Sequence, residues 1–451
     1  MTHANVATTT GANVFKRPKS VAGTIITGHG FQHMYADGFL VLLPLIKDAF
    51  GVGALELGVL STARQAAGGL LSMGGGFLVD MFSGKRALLL ATSLFSMGLA
   101  YLLAGLAPNF WILVLGVGLG SAAGSFWHPV GLGILSYTFP NNRALMMSLH
   151  RSAGSFGETF TPFLVAGALI FVTWRGVLVG GFFLIALVSA CLLVILLKIG
   201  VPEREHQARS TGEQVRSIGG LFKDRALPLL LLVTGLRGMA DRSMIFFLPV
   251  LIAQLLREVD PGVSDVRIAT VVAFHLALMT GTSVVVSPFI GAFSDRVGRK
   301  PILVTVLAFS ALISILFAVT TGNIDTNAQS FAGYWWTGFL VAQNWLGIAF
   351  SLLVGILGLV RFAGSNMAQA ASLDIAEGKR LEGSMIGLLW GNNALFGSLS
   401  PILLGFVIAT FSPVGTEDYR LIFPYAAVFA IAATVASVFL PSIGKPNTRK
   451  V

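Results

Sequence analysis

Three residues able to take up and release protons recur at every fourth position near the start of the chain: His29, His33 and Asp37, in GHGFQHMYADGF. On an α-helix that spacing lines them along one face over roughly 12 Å. Imidazole titrates near neutral pH, and a carboxylate in a low-dielectric setting is pushed toward the same range, so the row could relay protons. The same groups could instead hydrogen-bond neighbouring helices, or His29 and His33 could ligate a metal from one face. No Glu follows the first His, which departs from the metalloprotease pattern. Two further residues extend the set: Glu158, in GSFGETFTPFLVAG, and His128, directly before Pro129 in GSFWHPVG. Proline frees a backbone carbonyl and can kink a helix beside a polar residue, which makes His128 either a site element or a histidine bonded to that carbonyl.

Permanent charge is distributed differently. Arg64, Arg151, Arg237, Arg242 and Arg361 each fall inside a long apolar run. An arginine facing lipid at the bilayer centre costs about 2.5–3.5 kcal/mol, so all five must face a partner or a wet cavity. Glu158 can pair with Arg151 two turns away, and Asp241 with Arg237 one turn away. Arg64, Arg242 and Arg361 have no obvious acidic partner nearby in sequence, which suggests a cavity for an anionic solute. Asn392 and Asn393, in GLLWGNNALFGSLSP, offer neutral hydrogen bonds to a substrate or to adjacent helices.

The elements that must position these residues follow from composition. With 451 residues, 55% hydrophobic and 11% charged, and a mean hydropathy of +0.80, the chain cannot coat a soluble surface and belongs in a bilayer. Its net charge of +10 is spread among the segments between apolar runs, which excludes a nucleic-acid groove. The single cysteine, Cys191, permits no internal disulfide. Lys16, Arg17 and Lys19 precede the first run with no cleavage site after it, so the first helix is expected to be retained. Apolar runs of about 20 residues, the length that crosses a bilayer, number twelve. They lie near 21–46, 53–79, 87–107, 111–138, 144–172, 176–198, 227–254, 267–291, 301–320, 340–374, 384–411 and 421–440. The tenth is too long for one crossing, and Tyr334, Trp335 and Trp336 before it suit an interfacial anchor.

The organisation expected is a tail over 1–20, a six-helix bundle over 21–198, a polar linker over 199–226 containing PEREHQARSTGEQ, a second six-helix bundle over 227–440, and a tail over 441–451. About twenty basic residues fall on the side of the two termini and about five on the other, which places both termini in the cytoplasm and the chain in the cell (inner) membrane.

Two short charged turns repeat across the halves: GAFSDRVGRK at Gly291–Lys300 and a looser copy, GGFLVDMFSGKR, at Gly75–Arg86. In the seventh run, Asp241, Phe246, Pro249 and Leu251 roughly parallel Asp37, Leu40, Pro44 and Ile46 of the first. Equivalent charged helices fit a site shared between two halves near the bilayer midplane. Glycines spaced by four, such as Gly116, Gly120 and Gly124, let helices approach closely.

Over essentially its whole length the chain resembles a major facilitator superfamily transporter. Gly291, Asp295, Arg296, Gly298, Arg299 and Lys300 match the spacing of that family's loop between the second and third helices of a half. The first-half copy keeps Gly76, Asp80 and Arg86 but has Met81 and Phe82 where a basic residue is usual. The resemblance implies that these nine residues contribute to conformational gating. Pro162 does not follow a glycine, so the fifth run only partly resembles the antiporter signature. GHGFQHMYADGFLVLLPLIKDAFG and GSFWHPVG resemble the fosmidomycin-resistance type of exporter, which implies drug or phosphonate-like efflux by analogy.

The expectation is therefore an all-α membrane protein of twelve transmembrane helices in two pseudo-symmetric six-helix bundles, not an enzyme. It is expected to carry a small organic anion or drug by alternating access with protons as the coupling ion. Efflux by antiport is favoured over uptake by symport. His29, His33, Asp37, His128 and Glu158 would handle protons, and Arg64, Arg151, Arg237, Asp241, Arg242, Arg361, Asn392 and Asn393 would bind substrate. No other cofactor, no metal and no nucleic acid are expected; the partners are a small-molecule substrate and the lipid bilayer, with the chain acting as a monomer. A reading from another class is an intramembrane metallohydrolase using His29 and His33.

Overall fold

The computed structural model describes residues 17–81, 83–139, 142–201, 219–220, 222–223, 225–322, 345–376 and 382–443. Most of the polar linker, the aromatic trio Tyr334, Trp335 and Trp336, and nearly all of both tails lie outside these residues. The first half comprises α1 (Pro18–Asp37), α2 (Phe39–Phe50), α3 (Ala54–Met81), α4 (Arg86–Gly105), α5 (Phe110–Ser125), α6 (Trp127–Thr138), α7 (Arg143–Ala168) and α8 (Trp174–Ile199). The second comprises α9 (Ala226–Val259), α10 (Asp265–Val297), α11 (Arg299–Gly322), α12 (Trp345–Ala376), α13 (Glu382–Phe411) and α14 (Ile422–Val438).

Two of these pairs are single crossings broken midway: α1 and α2 meet at Gly38, and α5 and α6 at Phe126. Pro129 accounts for the second break, because it cannot donate to the carbonyl of Ser125 and its ring crowds that turn. Counting each broken pair once leaves twelve helical crossings among the described residues, six per half. The ends of these helices depart from the sequence expectation by a few residues.

Nine helices are long and apolar enough, among the described residues, to cross a membrane by length and composition. Helices α1, α3 and α7 are not among them. These three carry His29, His33, Asp37, Arg64, His150, Arg151 and Glu158, so the polarity that lowers their apolar character is the polarity of the site. Many large apolar side chains elsewhere, such as Phe171, Leu187, Phe289 and Phe439, point outward as a lipid-facing coat would require.

The halves pack on each other chiefly through α3 against α13 and α7 against α10. At the end bearing the α2–α3, α9–α10 and α13–α14 connections, the distal end, charged groups tie them together. Lys47 Nζ lies 3.3 Å from Glu417 Oε2, and the Ala54 amide donates to Glu417 Oε1 at 2.6 Å. Tyr419 donates its hydroxyl to Glu417 Oε2 at 2.8 Å, and Arg257 of α9 forms a two-pronged pair with Asp48 of α2. Arg420 pairs with Glu258 within the second half. At the opposite, proximal end the described pairing stays inside one half: Arg299 donates to Asp374 Oδ2 at 3.2 Å and to Ser294 Oγ at 2.8 Å.

Candidate functional site

Helices α1 and α7 run side by side in the same direction, and each presents a row of residues four apart. His29, His33 and Asp37 face His150, Gly154 and Glu158. Gly154 makes this registration possible: a Cβ there would lie 2.8 Å from His29 Nε2 and 2.9 Å from His33 Cδ2, so any larger residue would displace both rings.

The rows join into a chain of alternating charge. Arg64 of α3 donates to Asp37 Oδ1 at 3.1 Å and to the Ala36 carbonyl at 3.0 Å. The other oxygen of Asp37 lies 2.9 Å from His33 Nδ1, and that nitrogen lies 3.1 Å from Glu158 Oε1. Arg151 Nη1 completes the line, 3.3 Å from the same Glu158 oxygen. One imidazole nitrogen is thus shared by two carboxylates, each held on its far side by an arginine. His33, Asp37, Arg64 and Glu158 are largely shielded, whereas the Arg151 side chain remains 51% exposed. Arg64, which lacks an acidic neighbour in sequence, finds one 27 residues away.

A second cluster sits one turn along. His29 stacks on His150 with ring centroids 3.7 Å apart, and His128 of α6 approaches His29 edge-on at 5.1 Å. His150 does not figure among the residues read from sequence. Its signal was present, since His150, Gly154 and Glu158 repeat the spacing of the first row, but only the packing of α7 on α1 gives that repeat a meaning.

The second half contributes different groups. Arg237 and Asp241 of α9 pair at 2.8 Å, each 9% exposed, and Arg237 also donates to the Arg361 carbonyl at 2.5 Å. Arg242 makes no hydrogen bond or ion pair among the described residues; its stem lies with Gln65 of α3 against Gly397 of α13. Arg64, Arg361, Asp241 and Arg237 are within Coulombic reach of it. Arg361 in turn lies within Coulombic reach of Glu158 and Arg151 across the divide. Asn392 donates to the Leu231 carbonyl at 2.8 Å and to Thr234 at 3.2 Å, bonds that fasten α13 to α9. Asn393 leaves its Oδ1 buried without a hydrogen-bond partner. Trp390 of α13 meets His128 at 5.9 Å, so aromatic contact also spans the halves.

Of the turn residues, Arg86 is buried at the start of α4 and Gly298 ends α10 with φ +102, a conformation suited to glycine. Arg296 is exposed, and Arg299 and Lys300 open α11. The side-chain surroundings of Gly76, Asp80, Gly291 and Asp295 lie outside what is described.

A sequence model of the Major Facilitator Superfamily matches residues 25–360. A lincomycin resistance protein of Streptomyces lincolnensis is 26% identical over 80% of this chain and 68% of its own length. The multidrug resistance protein MdtG of Citrobacter koseri is 29% identical over 67% of this chain and 72% of its own. The Escherichia coli fosmidomycin resistance protein is 24% identical over 32% of this chain and 36% of its own. Among solved structures, the nucleoside transporter NupG superposes with a TM-score of 0.70 at 14% identity, over 93% of this chain and 98% of that one. At that identity the likeness concerns the fold.

Proposed function

The chain belongs to the major facilitator superfamily, and we propose that this transport protein is a proton-coupled exporter of a small organic anion or anionic drug. It is a multi-pass membrane protein, not an enzyme. The observation that carries the proposal is the alternating chain Arg64–Asp37–His33–Glu158–Arg151, facing Arg242 and Arg361 of the other half. Even with His33 left uncounted, five arginines face three carboxylates (Asp37, Glu158 and Asp241), so the region carries an excess of at least two positive charges. An anion compensates that excess. A proton gained or lost at Asp37 or Glu158 changes the charge that the arginines present to the substrate. Substrate and proton occupancy are then linked, because each changes the free energy of the other.

With both termini cytoplasmic, as the basic residues favour, the charge-tied distal end faces outward, so the protein stands closed on that side. An exporter collects its cargo in that state. The resistance proteins among the relatives support export of a drug-like compound.

Flux of candidate organic anions from proteoliposomes, with and without an imposed pH gradient, tests the reading. Gradient-driven movement of an anion is expected, with protons moving oppositely. Movement of cationic or neutral drugs alone would overturn the role given to the arginines, and parallel movement of protons and anion would replace antiport by symport.

A further inference from the structure

The His29–His128–His150 cluster has no part in the charge chain, and it has the form of a ligand set. The three rings come from three helices, α1, α6 and α7, and their candidate donor nitrogens all lie within 4.8 Å of one another. His29 and His150 are 1% and 3% exposed. Yet His29 Nδ1 and both nitrogens of His150 are buried with no hydrogen-bond partner. A buried polar group without a partner costs about 1–3 kcal/mol. Three such nitrogens on two rings in contact, with a third histidine beside them, are an arrangement that packing alone does not favour.

The second half shows how this protein treats a purely structural histidine. His275 is fully buried and has both nitrogens engaged, Nδ1 with the Val271 carbonyl at 2.7 Å and Nε2 with Ser351 Oγ at 3.0 Å. The sequence suggests His29 with His33 as possible ligands. His33 instead has its Nδ1 held by Asp37 and Glu158, leaving only Nε2 without a partner, and the group whose candidate donor atoms converge with those of His29 comprises His128 and His150.

We infer that His29, His128 and His150 form a binding site for one divalent transition-metal ion of the zinc or cobalt type. Neutral imidazole suits such ions, and three histidines are a sufficient protein donor set with a fourth position left for water or another ligand. Nitrogens no more than 4.8 Å apart lie within about 3 Å of a common point, so shifts of roughly 1 Å per ring reach metal–nitrogen distances of about 2.0–2.1 Å. The stacked His29 and His150 rings are the ones that must turn. A bound ion would fasten α1, α6 and α7 of the first half together.

The site can be tested without any transport assay, so its failure is distinguishable from failure of the exporter reading. The full chain, purified in detergent with a tag free of histidine, is titrated with Co²⁺ while visible absorption is recorded, and with Zn²⁺ in competition with a chromophoric chelator. One ion per chain is expected, with d–d bands of a nitrogen-ligated site. His29→Ala, His128→Ala and His150→Ala should each weaken binding by more than the roughly 10–100-fold that loss of an outer-shell partner causes. His275→Ala should bind like the parent chain. Variants are compared only where elution profile and unfolding temperature match the parent, and since each ligand sits on a different helix, one folded variant suffices. Absence of stoichiometric Co²⁺ binding by the parent, or undiminished binding by a folded ligand variant, would overturn the site.

Discussion

Where α1 carries His29, His33 and Asp37, the corresponding first crossing of the second half, α9, carries Arg237, Asp241 and Arg242. Where the fourth crossing of the first half carries His128 on α6, that of the second carries Arg361 on α12. The fifth crossings oppose His150 and Glu158 on α7 to Asn392 and Asn393 on α13. One architecture is thus used twice with two kinds of polar group. The first half concentrates imidazoles and carboxylates, set beside Arg64 and Arg151, and the second sets Arg237, Arg242 and Arg361 beside Asp241. The difference teaches that symmetry of fold need not mean symmetry of work: on the proposed reading the first half would register the proton, and both halves would supply arginines to the anion.

The largest expected effect strikes the first half. Asp37→Asn should abolish accumulation driven by a pH gradient while leaving counterflow between equal pools, measured in proteoliposomes. A variant that keeps its gradient dependence would dissolve the contrast. Next comes the buried pair of the second half. Arg237→Met strands Asp241 and should cost about 3–5 kcal/mol of stability, whereas Arg237→Met with Asp241→Leu should recover most of it, read from thermal unfolding. If the double variant instead loses gradient dependence, proton handling is shared by both halves. Arg242→Gln should weaken anion affinity about 10–100-fold, the loss of a charge-assisted contact, and leave the pH profile of transport in place. Smallest is Asn392→Ala, where losing the bond to Leu231 should cost about 0.6 kcal/mol, seen as a slight drop in unfolding temperature.

Much of this architecture is legible in the sequence because membrane crossings announce themselves by length and apolarity. The twelve runs and the near-coincidence of their ends with helix ends follow from that single constraint. The row His29–His33–Asp37 is legible too, since residues four apart share a helix face. Periodicity does not say which face meets which. The hold of Arg64 on Asp37 depends on α3 lying against α1, and the stacking of His150 on His29 depends on α7 running parallel to α1. Neither is written in local spacing. The interruptions are partly legible: Pro129 is a visible cause of the break at Phe126, whereas Gly38 looks like one of many glycines.

The distal closure has a consequence of another kind. Lys47, Asp48, Arg257 and Glu417 lie at the membrane surface, between 24% and 42% exposed, where dissolved ions reach them. At about 0.15 M salt the screening length is about 8 Å, and it shortens as salt rises. A closure made of such pairs, Arg257 with Asp48 above all, weakens with ionic strength, while His33 and Glu158, 14% and 13% exposed, are screened less. Salt on the distal side should therefore shift how often this carrier turns over, without acting through the residues proposed to meet its cargo.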